Sequence, residues 1–267
     1  MARGLFYLLS VLALCAALAP SARGQFLSDE ERKGMLTVGL SYSTRDYEME
    51  YRGSTVPYEE LEDIFKAFTT DEELDSVELT LAWLSFGYVE VRGTVGLADY
   101  SLASTHATDS AFDTALTTSD DLLYGVSAIV RYPVSDWVVL GLEVSLLTGR
   151  FNDVEGDVSQ LDVFPRVTTS VEDIHWREMA IGPKVMLRWG NWLPYVGARY
   201  VDVTTEVNTV LTPPRGDPIE RTATFENRNE LSGVVGLTWR ISSLFMADFE
   251  AQLSSNDRFT VTLKLTF

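Results

Sequence analysis

The strongest constraint on this chain is a two-residue rhythm. In its last segment Phe259, Val261, Leu263, Leu265 and Phe267 alternate with Thr260, Thr262, Lys264 and Thr266. Successive side chains of a strand point to opposite faces, so one face here is wholly apolar and the other polar. In water the apolar face needs a covering layer. In a bilayer lipid covers it, provided that no strand edge is left unpaired.

The same rhythm recurs along the chain. One face carries Leu36, Val38, Leu40 and Tyr42, with the alternation slipping near Arg45. Further apolar stripes run through Val77–Trp83, Val89–Leu97, Leu122–Tyr132, Val138–Leu146 and Met179–Trp189. Three more follow at Val196–Tyr200, Leu231–Ile241 and Phe245–Leu253. With the closing segment this predicts about ten strands, eight or twelve remaining open because weakly periodic strands merge or split. Connections near Phe86, Ser135, Asn191 and Ser242 are short, whereas 52–75, 103–120, 152–172 and 209–226 read as long, polar and acidic loops. Trp83, Tyr132, Trp137, Trp189, Trp192 and Trp239 sit at strand ends, where interfacial rings belong. The fold expected is all-β: a closed antiparallel transmembrane β-barrel.

The alternating final strand with its terminal aromatic residue resembles the last strand of Gram-negative outer-membrane barrel proteins. Loop asymmetry extends the resemblance over the whole mature chain. It implies short periplasmic turns and long acidic extracellular loops. It also implies contact with outer-membrane lipid and lipopolysaccharide, and Phe267 as an assembly signal for the barrel-assembly machinery. A monomer is expected.

Residues 1–24 read as an export signal: Arg3 supplies a positive charge, Leu5–Leu18 an apolar stretch, and Ala22-Arg23-Gly24 the small residues before a cut. Residues 25–267 then form one barrel domain. Cys15, the single cysteine, leaves with the signal, so no disulfide or thiolate metal site is expected. With 21 basic and 39 acidic residues, removal of Arg3 and Arg23 takes the charge from -18 to 19 − 39 = −20. That balance opposes nucleic-acid binding. No cofactor and no metal are expected.

The polar faces place Glu78, Glu90, Glu143, Glu178, Asp248 and Glu250 inside, with Arg92, Arg131, Lys184, Arg188, Arg199, Arg240 and Lys264. On the lipid side each would cost about 2–4 kcal/mol at the midplane. In a lumen barely wide enough for side chains, such charges pair and close the bore; a wider lumen would make a narrow, charge-lined pore. In the first long connection, Tyr58, Leu61, Ile64, Phe65 and Phe68 recur at helical spacing. Asp173 and His175 form an Asp-x-His pair resembling half of an omptin protease site, in which a carboxylate orients an imidazole general base. The chain has no Asp-x-Asp to supply the other half, and neither His106 nor His175 has a Ser two residues on. The leading expectation is a non-enzymatic envelope structural or surface-interaction protein. A narrow passive pore is the alternative, and an omptin-like protease a distant third.

Overall fold

The computed structural model describes residues 36–55, 68–85, 88–106, 114–157, 168–215, 217–228, 230–253 and 257–267. The export signal, Tyr58, Leu61, Ile64 and Phe65 lie outside these residues. Twelve strands follow in chain order: β1 (Leu36–Ser54), β2 (Phe68–Ser85), β3 (Val89–His106), β4 (Thr114–Pro133), β5 (Val138–Phe151) and β6 (Glu155–Asp157) come first. Then come β7 (Thr168–Leu187), β8 (Trp192–Thr212), β9 (Ile219–Asn227), β10 (Leu231–Arg240), β11 (Phe245–Leu253) and β12 (Arg258–Thr266).

Ten of them close a ring through antiparallel neighbours: β1, β2, β3, β4, β5, β7, β8, β10, β11 and β12, with β12 returning to β1. Closure removes the unpaired edges that lipid does not tolerate. The ring carries an outward apolar band. On β2 it comprises Val77, Leu79, Leu81 and Trp83, and on β4 Leu122, Tyr124, Val126, Val130 and Tyr132, all exposed. Trp83, Tyr88, Tyr132, Trp137, Trp189, Trp192 and Trp239 form an exposed aromatic belt at one end of the barrel, where the short turns lie. Trp192 and Trp239 stack at 5.1 Å. After β7 a bridge between Trp189 and Trp192 closes a two-residue turn, Gly190 and Asn191, into β8. Gly190 takes φ +59, the left-handed geometry that suits a tight hairpin and that glycine adopts freely.

Several strands are far longer than the 9–11 residues a bilayer requires; β2 has 18, β7 20 and β8 21. They run on into stretches read above as connections, including 68–75, 168–172 and 209–212. The alternation on β1 does not slip at Arg45. Ser43, Arg45, Tyr47 and Met49 all remain inward and buried. What changes is the solvent outside. Beyond the lipid band water bathes the outer wall, so the faces exchange chemistry: Asp46, Asp71, Glu73 and Asp99 are exposed outward, while Tyr47, Met49, Leu74 and Tyr100 are buried inward.

The strand number also changes with height. β11 and β12 have nine residues each and reach only the top of the apolar band. Above them β9 pairs with β1 directly, from Met49↔Asn227 to Ser54↔Ala223. β8 pairs β10 along its first half and β9 along its second. The result is a ten-stranded base beneath an eight-stranded collar. Between β9 and β10 the ladder is bridged by one side chain: buried Asn227 accepts from the Val203 N–H (2.9 Å) and donates to the Val201 carbonyl (2.8 Å).

Candidate functional site

Two interiors are stacked inside the barrel. The base encloses a cavity of about 230 Å³, walled from Thr37, Leu193 and Thr266 at the short-turn end up to Arg45 and Glu178. Twelve of the thirteen charged residues expected inside line it: Glu78, Glu90, Arg92, Arg131, Glu143, Glu178, Lys184, Arg188, Arg199, Asp248, Glu250 and Lys264. Arg240 does not. It is buried at the β10–β11 turn, where its guanidinium donates to the carbonyls of Ser242 (3.1 Å) and Ser243 (3.4 Å). As the last inward position of β10 it lies beside the turn, so it holds that turn rather than facing the cavity.

The side chains pair in groups. Arg45 meets Glu78 at 2.6 Å and Glu178 at 3.6 Å, and Arg258 meets Glu178 at 3.1 Å. Lys184 bridges Glu143 and Glu250 at 2.6 Å each, and Arg199 reaches the same two at 3.3 and 2.7 Å. Glu90 is shared by Arg92 and by Arg131 at 2.8 Å. Lys264 pairs with Asp248 at 2.8 Å. Carboxylates held between two cations in a poorly hydrated bore gain Coulomb energy that partly offsets their desolvation. Tyr195 stands over this network, its ring 5.0 Å from the Lys184 ammonium and its hydroxyl donating to Glu250 at 3.0 Å.

The collar interior is apolar. Leu74, Leu123, Phe151, Ile174, Trp176 and Val203 are fully buried there, with Tyr47, Tyr100 and Val201 almost so. Tyr100 stacks on Phe151 at 4.6 Å. An eight-stranded cylinder is just wide enough for side chains to fill, so this core closes the lumen above the cavity. One carboxylate is buried inside it. Glu72 accepts from Trp176 Nε1 (2.6 Å), Thr205 Oγ1 (2.6 Å) and Tyr100 Oη (3.0 Å). Burial pushes its carboxyl up to about 7 against those three hydrogen bonds, and nearby Glu178 adds to the rise. Glu72 stands above the lipid band, since its outward neighbours are Asp71 and Glu73.

Asp173 and His175 lie on the opposite face of the wall. Ile174 and Trp176 point into the core, which turns His175 outward, half-exposed, above the band. The Asp173 carboxylate is occupied by Arg150 Nε (3.0 Å) and Asn208 Nδ2 (2.5 Å), and His175 Nε2 stands 3.5 Å away. Despite partial desolvation, the hydrogen bonds from Asn208 and Arg150 hold that carboxyl below the usual range. Among the described residues no cluster of His, Cys, Asp and Glu has metal-binding geometry.

Sequence reasoning missed Arg45, Tyr47, Glu72 and Arg258 as interior residues. For Arg45, Tyr47 and Glu72 the signal was present in the continued alternation through 43–49 and 70–78, but it was obscured because the outward partners there are polar too. Arg258 simply continues the polar face of Thr260, Thr262 and Lys264.

A closed antiparallel barrel with an outward apolar band and an aromatic belt is a transmembrane β-barrel. No family model matches this chain, and no curated protein does. Among solved structures it is similar to the outer membrane protein OprG from Pseudomonas aeruginosa (9% identity, 92% of this chain and 99% of that one, TM-score 0.45). It is also similar to the outer membrane protease OmpT from Escherichia coli (12% identity, 88% and 97%, TM-score 0.47). A third is the translocator domain of the autotransporter NalP from Neisseria meningitidis (9% identity, 88% and 88%, TM-score 0.42). At these identities the likeness is one of fold.

Proposed function

We propose that this is a non-enzymatic outer-membrane barrel with a structural or surface-interaction role, displaying the acidic outer wall of its collar outside the cell. The observation that carries the reading is the apolar core filling the collar. It leaves the lumen shut while the strands run on well beyond the lipid band. Residues 1–24 direct export and are removed, the strand ending at Phe267 is the address for the barrel-assembly machinery, and the chain works as a monomer in contact with outer-membrane lipid and lipopolysaccharide. The engaged, outward position of Asp173 and His175 favours a structural part for that pair over proteolysis.

A narrow pore is the second reading, favoured by the charged cavity of the base. Planar-bilayer recording with the purified mature chain separates the two. A silent bilayer, with correct insertion checked by heat-modifiable gel mobility, is expected. Reproducible ohmic steps would overturn the structural reading in favour of the pore.

A further inference from the structure

The charge of the base cavity runs against that of the chain. The sequence carries a formal -18. Of the side chains lining the cavity, eight are Arg or Lys and six are Asp or Glu, which leaves two formal positive charges in excess. The ion pairs locate part of that excess. Arg45 and Arg258 are matched by Glu78 and Glu178, and Lys184 and Arg199 by Glu143 and Glu250. Lys264 is matched by Asp248. Glu90, in contrast, serves both Arg92 and Arg131. Arg92 also meets Glu143 at 3.8 Å, but that carboxylate is already held by Lys184 and Arg199, so with Glu250 four cations share three carboxylates.

Arg92 and Arg131 are also among the least enclosed bases of the cavity. Their side chains are 17% exposed, against 0% for Arg45 and 5% for Arg199. A guanidinium has five donors, so one shared carboxylate cannot occupy both forks. Inside a low-dielectric wall an uncompensated positive charge attracts a counter-ion far more strongly than it would at the surface.

We propose that the base of the barrel is a binding chamber for a small free oxyanion of the phosphate or sulfate class. The anion is held between Arg92 and Arg131 and enters from the short-turn end, because the collar core closes the other. Guanidinium forks match the oxygen spacing of such anions and give two parallel, charge-assisted hydrogen bonds. At about 230 Å³ the chamber is too small to admit a lipid with its acyl chains, so the ligand is the free ion. This site is compatible with a silent barrel, because binding in a closed chamber requires no passage through it.

The test uses the mature chain refolded in a non-ionic detergent and titrated calorimetrically with inorganic phosphate, at constant ionic strength set by chloride. The same titration in phosphatidylcholine vesicles shows whether headgroup phosphate competes. Saturable binding of about one phosphate per barrel is expected, undiminished in the vesicles. Arg131→Gln weakens it by about tenfold, the order expected for loss of one charge-assisted pair. Glu90→Gln is nearly isosteric, frees both guanidiniums and tightens binding. Arg177→Gln on the outer wall leaves it unchanged. Absence of saturable binding to the folded wild-type chain, loss of binding in the vesicles, or a Glu90→Gln variant that binds no more tightly would each overturn the proposal, even if Arg131→Gln fails to fold.

Discussion

Glu72 ties the stability of the collar to pH. Its carboxyl is raised from the ordinary 4.5 to about 7, chiefly by burial. Because the folded value lies above the unfolded one, the folded chain keeps a proton that the unfolded chain has released between these two pH values. The stabilisation is therefore fully present below about pH 4.5 and is lost as pH rises through 7. A single group with these values contributes about 2.5 kcal/mol more stability at pH 5 than at pH 8, and about 1.3 kcal/mol more at pH 6 than at pH 8. Glu72→Gln should remove that dependence without opening the core. The amide oxygen accepts the Trp176 indole N–H, and the amide nitrogen faces the hydroxyls of Tyr100 and Thr205, which rotate to accept. The assay is urea unfolding of the vesicle-inserted chain, followed by tryptophan fluorescence, at pH 5, 6 and 8. The difference between wild type and variant isolates Glu72 from every other titrating group. Glu72→Gln should be more stable than wild type at pH 8 and should lose the advantage by pH 5. A wild-type chain whose stability relative to the variant does not change with pH would refute the reasoning.

Four further outcomes are expected. Asn227→Ala strands the Val203 N–H and the Val201 carbonyl at the β9–β10 break, costing about 2–4 kcal/mol in the same unfolding assay, whereas Asn227→Asp restores only the accepting half. Arg45→Met leaves Glu78 and Glu178 facing each other in a buried site and costs about 3–5 kcal/mol; adding Glu78→Gln recovers part of it. His175→Ala, on the exposed outer wall, changes stability by less than about 0.5 kcal/mol. The proposed absence of proteolysis predicts that wild type and His175→Ala leave a mixed-sequence peptide panel equally uncleaved, read by mass spectrometry.

The apolar stripes were legible because lipid makes a demand that few other environments do. Val77, Leu79, Leu81 and Trp83 need only be read at every second residue to give the lipid face, and Glu78 falls inside by elimination. Reading stopped where the solvent changed. At Arg45 the outward residue turns from apolar to acidic while the inward one turns from Ser43 to Tyr47, so a rule tied to the bilayer sees a slip in an unbroken strand. Residues 219–227 suffered similarly. Ile219-Glu220-Arg221-Thr222-Ala223-Thr224 has neither stripe, because β9 pairs outside the membrane, where strands need no apolar outer face. Glu72 was hidden for a further reason. Asp71, Glu72 and Glu73 look alike in sequence, and only the pleat separates the buried one from the two in water.

The change from ten strands to eight means that this barrel is stoppered by its own narrowing. No separate cork exists among the described residues to be withdrawn. The neck closes because the final hairpin ends early and β1 exchanges its lower partner, β12, for an upper one, β9. Opening it would mean unzipping Met49–Ser54 from Ala223–Asn227 and parting the packed side chains behind, a local unfolding rather than a swing of a lid. The same arrangement places both seams on one strand: β1 closes the base through its lower half, paired with β12, and the neck through its upper half, paired with β9.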